Sequence, residues 1–263
     1  MKFSVLASGS KGNATFVEGG GVRLLVDVGL SCRALEQRLK TIGVEPDSIH
    51  AALITHEHID HMQGLQRFAA KYQIDVYANE GTAAVMERQM RREKKEPPPF
   101  VLFESNMAFS IGDLMITPVR ISHDTAEPVG YLIEETSTTL GVFTDLGIAS
   151  ERVLSAMAQC HALVFESNHD LEMLRTSNRG YALISRIAGN SGHLSNEQAC
   201  EAMVQASPTQ LKTLVLAHLS GECNMPQVAH AMMKRTLQLM QREDVSLHVA
   251  SQVEPLPIMD VLC

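Results

Sequence analysis

Residues 53–65 read LITHEHIDHMQGL, an apolar run followed at once by three histidines and two acids between His56 and His61. A chain that ends a core strand on H-x-H-x-D-H has to bring these side chains out at a sheet edge, because an apolar interior penalises polar groups without partners. A single histidine on a loop is ordinary surface polarity, but the whole register asks for more. His56 and His58 are two residues apart, so an extended backbone points both to one side. Asp60 and His61 follow the turn and face a second point nearby. The spacing therefore predicts two adjacent metal sites. It is not the helical zinc-protease pattern, which needs histidine at the fifth position, where this chain has Asp60.

Strand and helix signals alternate along the chain. KFSVLAS and TFVEGGGVRLLVDVG read as strands, the second a hairpin around Gly19-Gly20-Gly21. A helix opens near Ser31 and closes at Gly43. FSIGDLMITPVRIS reads as a second hairpin, and PVGYLIEE, TLGVFTD, ALVFES, TLVLAHL and VSLHVA as further strands. Helices are expected near 150–159, over SNEQACEAMVQA, and over MPQVAHAMMKRTLQLMQ, whose methionines read as core packing. The pattern strand–Asp–Gly–helix occurs twice, in LLVDVGLSCRALEQRL (24–39) and GVFTDLGIASERVLSAM (141–157). The expectation is one domain over 1–263, built of two related halves, roughly 1–135 and 136–263. Their strand ends would gather Asp27, His56–His61, Asp145 and Glu166.

Composition narrows the function. The 263 residues carry a net charge of −8, which argues against a broad basic footprint for nucleic acid. It leaves room for a nuclease, since divalent cations create a local positive site in an acidic protein. The densest basic run, Arg88–Lys95, reads as a solvated helix end stopped by Pro97-Pro98-Pro99, with contact to a polyanion as the alternative. No apolar run approaches a membrane span, and the apolar run at the N-terminus is too short for a signal peptide. Five scattered cysteines (Cys32, Cys160, Cys200, Cys223, Cys263) contain no C-x-x-C pair. They indicate reduced thiols in the cytoplasm.

Further apolar strands end on residues of ligand type: His123 after MITPVRIS, Asp145 after LGVFT, His218 after LVLA. Each alone is a turn residue; together with H-x-H-x-D-H they form a set that rigid strand ends can hold.

THEHIDH, the strand-end Asp27, SHD, FTD and LAHLS, in this order, resemble the motifs of the metallo-β-lactamase superfamily across essentially the whole chain. The resemblance implies an α/β fold, a four-layer αβ/βα sandwich of two mixed β-sheets flanked by helices, with a binuclear site at one edge. It implies that His56, His58 and His123 hold one metal, that Asp60, His61 and His218 hold the other, that Asp145 bridges them, and that Asp27 supports the site through hydrogen bonds. His61 stands where the best-known β-lactamases carry cysteine, which disfavours antibiotic hydrolysis. The segment from Asp145 to His218 is too short for the cap domain of the larger nucleases. FESNHD and GHLSNEQA resemble the motifs of the tRNA 3′-processing branch, implying that Glu166 orients His193 beside a scissile phosphate. HLSNEQ also reads as a helix start capped by Ser195, with Gln198 completing a capping box.

The loop LASGSKGNATFVE can expose backbone N–H groups to a phosphate. With LLVDVGLS, SHDTAEP and FESNHDLEMLR, it resembles the YycJ (WalJ) family of bacterial cytoplasmic proteins, which implies 5′-to-3′ exonuclease action on double-stranded DNA. Tyr181 and Arg186 match that family, whereas the proline common beside them is absent. The expected mechanism is phosphodiester hydrolysis by water activated between two divalent ions (Zn, Mn or Fe). Asp60 orients the water, and His193, held by Glu166, serves the leaving oxygen. Ser8, Ser10, Asn13 and Arg186 would grip phosphates. The expected partner is a duplex DNA end, with no membrane and no obligate protein partner. Two alternatives stand: a hydrolase of a cyclic phosphodiester, thioester or lactone, and a non-catalytic metal protein with a regulatory role. The pair Glu166–His193 separates the nuclease from most of the former, and an intact ligand row able to keep open positions argues against the latter.

Overall fold

The computed structural model describes residues 1–262. Six strands lie in the first part of the chain: β1 (Lys2–Ala7), β2 (Ala14–Gly19), β3 (Val22–Val26), β4 (Ala51–Leu53), β5 (Asp75–Asn79) and β6 (Phe100–Phe103). They are followed by β7 (Phe109–Ile111), β8 (Leu114–Arg120), β9 (Val129–Glu135), β10 (Thr138–Phe143), β11 (Ala162–Glu166), β12 (Thr213–Ala217), β13 (Ser246–Val249) and the short β14 (Met259–Asp260). They form two seven-stranded mixed sheets, ordered β14-β1-β2-β3-β4-β5-β6 and β13-β12-β11-β10-β9-β8-β7.

The expected hairpins are present. β2 and β3 pair antiparallel from Thr15↔Val26 to Gly19↔Val22, and β7 pairs antiparallel with β8. From β3 through β6, and from β10 through β13, pairing is parallel. Parallel strands need helical crossovers that cover the sheet, so they are buried and read as apolar runs. β11 (ALVFE) and β12 (TLVLA) are buried at every position. Ser31 caps the helix Cys32–Thr41, Ser150 caps Glu151–Met157, and Ser195 with Gln198 makes the full capping box on Asn196–Ala206. On the helix Pro226–Leu239, Met233 and Leu237 are buried against the second sheet's core, as the methionine pattern predicts.

Two differences from the sequence reading concern the fold. β5 and β6, with the helix Glu80–Arg92 between them, fill a region in which only a helix end was expected. DVYAN mixes polar and apolar residues, and it is the parallel pairing with β4 that makes it a strand. The expected halves, roughly 1–135 and 136–263, compare with a contact boundary that falls between Pro118 and Gly130. Contacts group Met1–Pro118, Thr125–Val129 and Ser251–Asp260 into one unit, and Val119–Asp124 with Gly130–Ala250 into another. The C-terminal segment joins the first unit because β14 adds to β1, Ser4 Oγ donates to the Leu256 carbonyl (2.6 Å), and Leu256 N–H donates to Val5 O (3.0 Å). Within the basic run, Arg91 pairs with Glu87 and Lys95 with Glu93 on exposed surface.

The strand–Asp–Gly–helix echo recurs in three dimensions. Asp27 after β3 and Asp145 after the end of β10 both take left-handed backbone, φ 64° and 61°. In each unit the glycine two residues on is required by close backbone approach: a Cβ on Gly29 would lie 1.7 Å from the Asp60 carbonyl oxygen, and one on Gly147 would lie 2.1 Å from that of Asn190. His218, after β12, is a third left-handed residue at φ 54°. Left-handed non-glycine backbone costs about 1–3 kcal/mol per residue. All three positions are buried strand ends carrying a residue of ligand type.

Candidate metal centre

In the first unit, neighbouring parallel strands β3 and β4 deliver Asp27 and the Thr55–His61 segment to the same carboxyl edge. Ligands bind at this edge in open α/β sheets. Asp27 is buried and accepts three hydrogen bonds' worth of protein. Thr55 N–H donates to Oδ1 (2.9 Å), the Thr55 hydroxyl donates to Oδ2 (2.8 Å), and His61 Nδ1–H donates to Oδ2 (2.8 Å). A hydroxyl has one proton. With it spent on Asp27, Thr55 Oγ1 accepts from His56 Nδ1–H at 2.9 Å. Both histidines thus have Nδ1 occupied as a donor, which makes Nε2 the atom able to bind a metal. Asn13 confirms the tautomer of His61, since its amide Nδ2 lies 3.0 Å from Nε2 and can only donate. The His56 ring lies 4.0 Å from that of His61 and 4.8 Å from that of His58, centroid to centroid. Asp60 Oδ2 is 3.6 Å from His61 Nε2.

The second unit repeats the device. β10, β11 and β12 run parallel, and their carboxyl ends lead into Asp145, Glu166 and His218. His123 Nδ1–H donates to Gly192 O (3.1 Å), again presenting Nε2. Glu166 is fully buried and meets four donors. His193 Nδ1–H and His218 Nδ1–H both reach Oε1 at 2.9 Å, while Leu146 N–H (2.8 Å) and Leu194 N–H (3.1 Å) reach Oε2. Burial alone would raise this carboxyl; the adjoining His193 and His218 imidazoles overcome it and hold it down at about 2. Asp145 Oδ1 is 3.4 Å from His218 Nδ1, and one ligand-type atom from each of Asp145, Glu166, His193 and His218 falls within 4.8 Å of the others. His169 shows the contrast: it is fully buried, burial pulls its imidazole below the ordinary range, and its carbonyl only accepts from Asn196 N–H.

The loop 8–13, expected to grip phosphates, bonds largely to the protein itself. Five of its backbone N–H groups are engaged within the protein: Gly9 to Asn13 Oδ1, Lys11 to Gln252 Oε1, Gly12 to Gly9 O, Asn13 to Asp60 O and Ser8 to Ser251 O. Ser8 is buried and hydrogen bonded to Asn13, whereas Ser10 is exposed. The loop thus braces the backbone of Asp60. Arg186, on the helix Tyr181–Ile187, is exposed and paired to Asp124 Oδ2 at 2.6 Å, one residue beyond His123. Thr55, Asn168, Asn196 and Asn224 were not singled out by sequence. Thr55 carried a signal, a hydroxyl beside the histidine row at a strand end; the asparagines carried none.

The family model described as the beta-lactamase superfamily domain matches residues 22–219. The chain is 37% identical to exodeoxyribonuclease WalJ of Streptococcus pneumoniae, covering 90% of this chain and 88% of the relative. It is also 37% identical to exodeoxyribonuclease YycJ of Bacillus anthracis, covering 90% and 89%. The chain belongs to the WalJ/YycJ family of the metallo-β-lactamase superfamily. Its fold matches the metallo-β-lactamase fold protein YhfI of Bacillus subtilis at a TM-score of 0.71 with 16% identity, over 97% of this chain and 98% of that one. As a member of this family it is a metal-dependent hydrolase, and its histidine and carboxylate donors suit divalent ions. Four of the five histidines tied at Nδ1, His56, His61, His123 and His218, fit that role, because such bonds fix the ring and its tautomer before metal arrives. Among the described residues, no helix is long and apolar enough to cross a membrane. Cys32, Cys160, Cys200 and Cys223 are free thiols, and Cys263 lies outside the described residues.

Asp27→Asn tests this support directly. Asparagine keeps the shape and tolerates left-handed backbone, but it removes the charge that orders Thr55 and His61. Metal affinity is expected to fall about 10–100-fold, measured by competition with a chromogenic chelator. Parental affinity would show that Asp27 does not support the centre.

Proposed function

We propose that this chain is a binuclear phosphodiesterase that removes nucleotides from the 5′ ends of double-stranded DNA. The observation that carries the reading is the Glu166–His193 pair, with Nδ1–H of His193 held at 2.9 Å and its side chain 21% exposed. Thioester hydrolysis needs no such pair, because a thiolate leaves without a proton, whereas an alkoxide leaving from phosphorus needs one. The WalJ and YycJ relatives, named exodeoxyribonucleases, support DNA as the substrate.

On the pattern of the superfamily, His56, His58 and His123 would hold one ion, Asp60, His61 and His218 the other, and Asp145 both. When bound, divalent ions lower the pKa of water and offset the charge on the phosphate. The chain's own residues do the rest. Asp60 orients the attacking water and takes its proton. Glu166 fixes His193 so that Nε2 can meet the leaving oxygen. Asn13 braces Asp60; Ser8 is buried into the same brace, and Ser10 and the Arg186 guanidinium are the exposed groups for neighbouring phosphates. The free thiols and the DNA substrate of the relatives support a cytoplasmic location.

The test uses protein loaded with Mn²⁺ or Zn²⁺ and linear duplex DNA labelled separately at its two ends. Release of 5′ label, abolished by chelation and absent from closed-circular DNA, is the expected result. Protein that holds metal yet releases no label from any linear duplex would overturn the proposal.

A further inference from the structure

Glu166 and His193 stand on different segments, and a third segment ties them together. Asn224 lies on the loop after β12 and is 5% exposed. Its Nδ2, with two protons, lies within hydrogen-bond distance of three acceptors, Ser167 O (3.0 Å), Asn168 O (3.1 Å) and Asn196 Oδ1 (2.9 Å), so that one proton is shared. Its Oδ1 accepts from Met225 N–H (2.9 Å) and from Asn196 Nδ2 (3.0 Å). The amide orientation is settled by its partners, because Met225 N–H can only donate and the two carbonyls can only accept.

The bonded groups immediately flank the catalytic pair. Ser167 and Asn168 follow Glu166 directly. Asn196 opens the helix three residues after His193, and Ser167 Oγ donates to its Oδ1 at 2.6 Å. The same two segments meet again where Asn168 N–H donates to Leu194 O (2.9 Å) and Leu194 N–H donates to Glu166 Oε2. Asn168 Nδ2 donates to His218 O at 2.7 Å, which brings the His218 turn into the same lattice. One buried side chain therefore bonds to the Glu166 loop, to the His193 segment and to its own loop after His218.

We propose that Asn224 is the positioning residue of the Glu166–His193 pair, setting the distance and angle at which His193 meets the leaving oxygen. The inference rests on the reading of His193 as proton donor. Asn224 acts through Ser167, Asn168 and Asn196. Aspartate could not replace it, since it would turn a carboxylate toward carbonyl oxygens that need donors. A misplacement of about 1 Å costs on the order of 10²-fold in rate, so loosening this amide should reach the chemistry while leaving substrate binding intact.

The experiment compares duplex DNA with a nitrophenyl ester of a nucleotide, whose leaving group departs without a proton. The variants are Asn224→Ala, the milder Asn224→Ser, which keeps one donor, and His193→Ala, each metal-loaded and checked for fold by circular dichroism. Asn224→Ala should lower kcat on DNA about 10–100-fold with KM within about twofold, Asn224→Ser should fall between it and the parent, and both deficits should largely vanish on the nitrophenyl ester. Equal losses of the Asn224 variants on the two substrates, or parental kcat on DNA, would overturn the inference alone. A His193→Ala deficit of equal size on both substrates would overturn the proton-donor reading and this inference with it.

Discussion

Asp60→Ala, and equally Asp60→Asn, should leave turnover at or below about one ten-thousandth of the parental rate in a protein that still folds. The fold is expected to survive because residue 60 is held by its backbone: its carbonyl accepts from Asn13 N–H at 2.8 Å and packs against Gly29. Its carboxylate is 19% exposed at the side chain and reachable by water. In the proposed mechanism, removing the carboxylate takes away an anionic donor to metal and the group that orients the nucleophile, in one step. Asparagine matches its volume, so the twin variant separates lost charge from lost packing. Metal content by mass spectrometry should fall toward one ion per chain. An Asp60→Asn protein within tenfold of parental turnover would remove Asp60 from the mechanism.

His193→Ala should lower kcat on duplex DNA by about 10²–10⁴-fold, about 3–6 kcal/mol in barrier at 1.4 kcal/mol per decade, with metal content unchanged. Glu166 loses one donor but keeps His218 Nδ1–H, Leu146 N–H and Leu194 N–H, so the buried carboxylate stays bonded and the fold holds. The size of the effect separates two roles. A group that only fills space beside the substrate would change KM with kcat preserved, whereas a proton donor acts in the transition state and lowers kcat. Steady-state kinetics on end-labelled duplex gives the split, and unchanged kcat would exclude the proposed role.

Much of this was written locally. His56 and His58 follow one strand end, where the period of an extended chain predicts a common side without any tertiary information; Asp60 and His61 come next, in the short helix Ile59–Met62. The helix starts at Ser31, Ser150 and Ser195 were legible because a cap bonds to its own next turn. The loop 8–13 was legible only in part, for the converse reason. Glycine, serine and asparagine announce a tight loop, but whether its N–H groups face solvent depends on Asp60 and Gln252, which the chain brings back from a distance. β5 and β6 were missed because their strand character comes from parallel neighbours and not from alternation.

By itself the sequence determined most of the strands and that their ends carry side chains of metal-ligand type. These follow from local periodicity and from the chemistry of residue types. Only the tertiary structure decided how the hydrogen bonds are shared: Thr55's one proton goes to Asp27, Glu166 serves two imidazoles, and Asn224 reaches Ser167 from 57 residues away. A hydrogen bond exists only within about 3 Å and a narrow angle, and a linear sequence records neither.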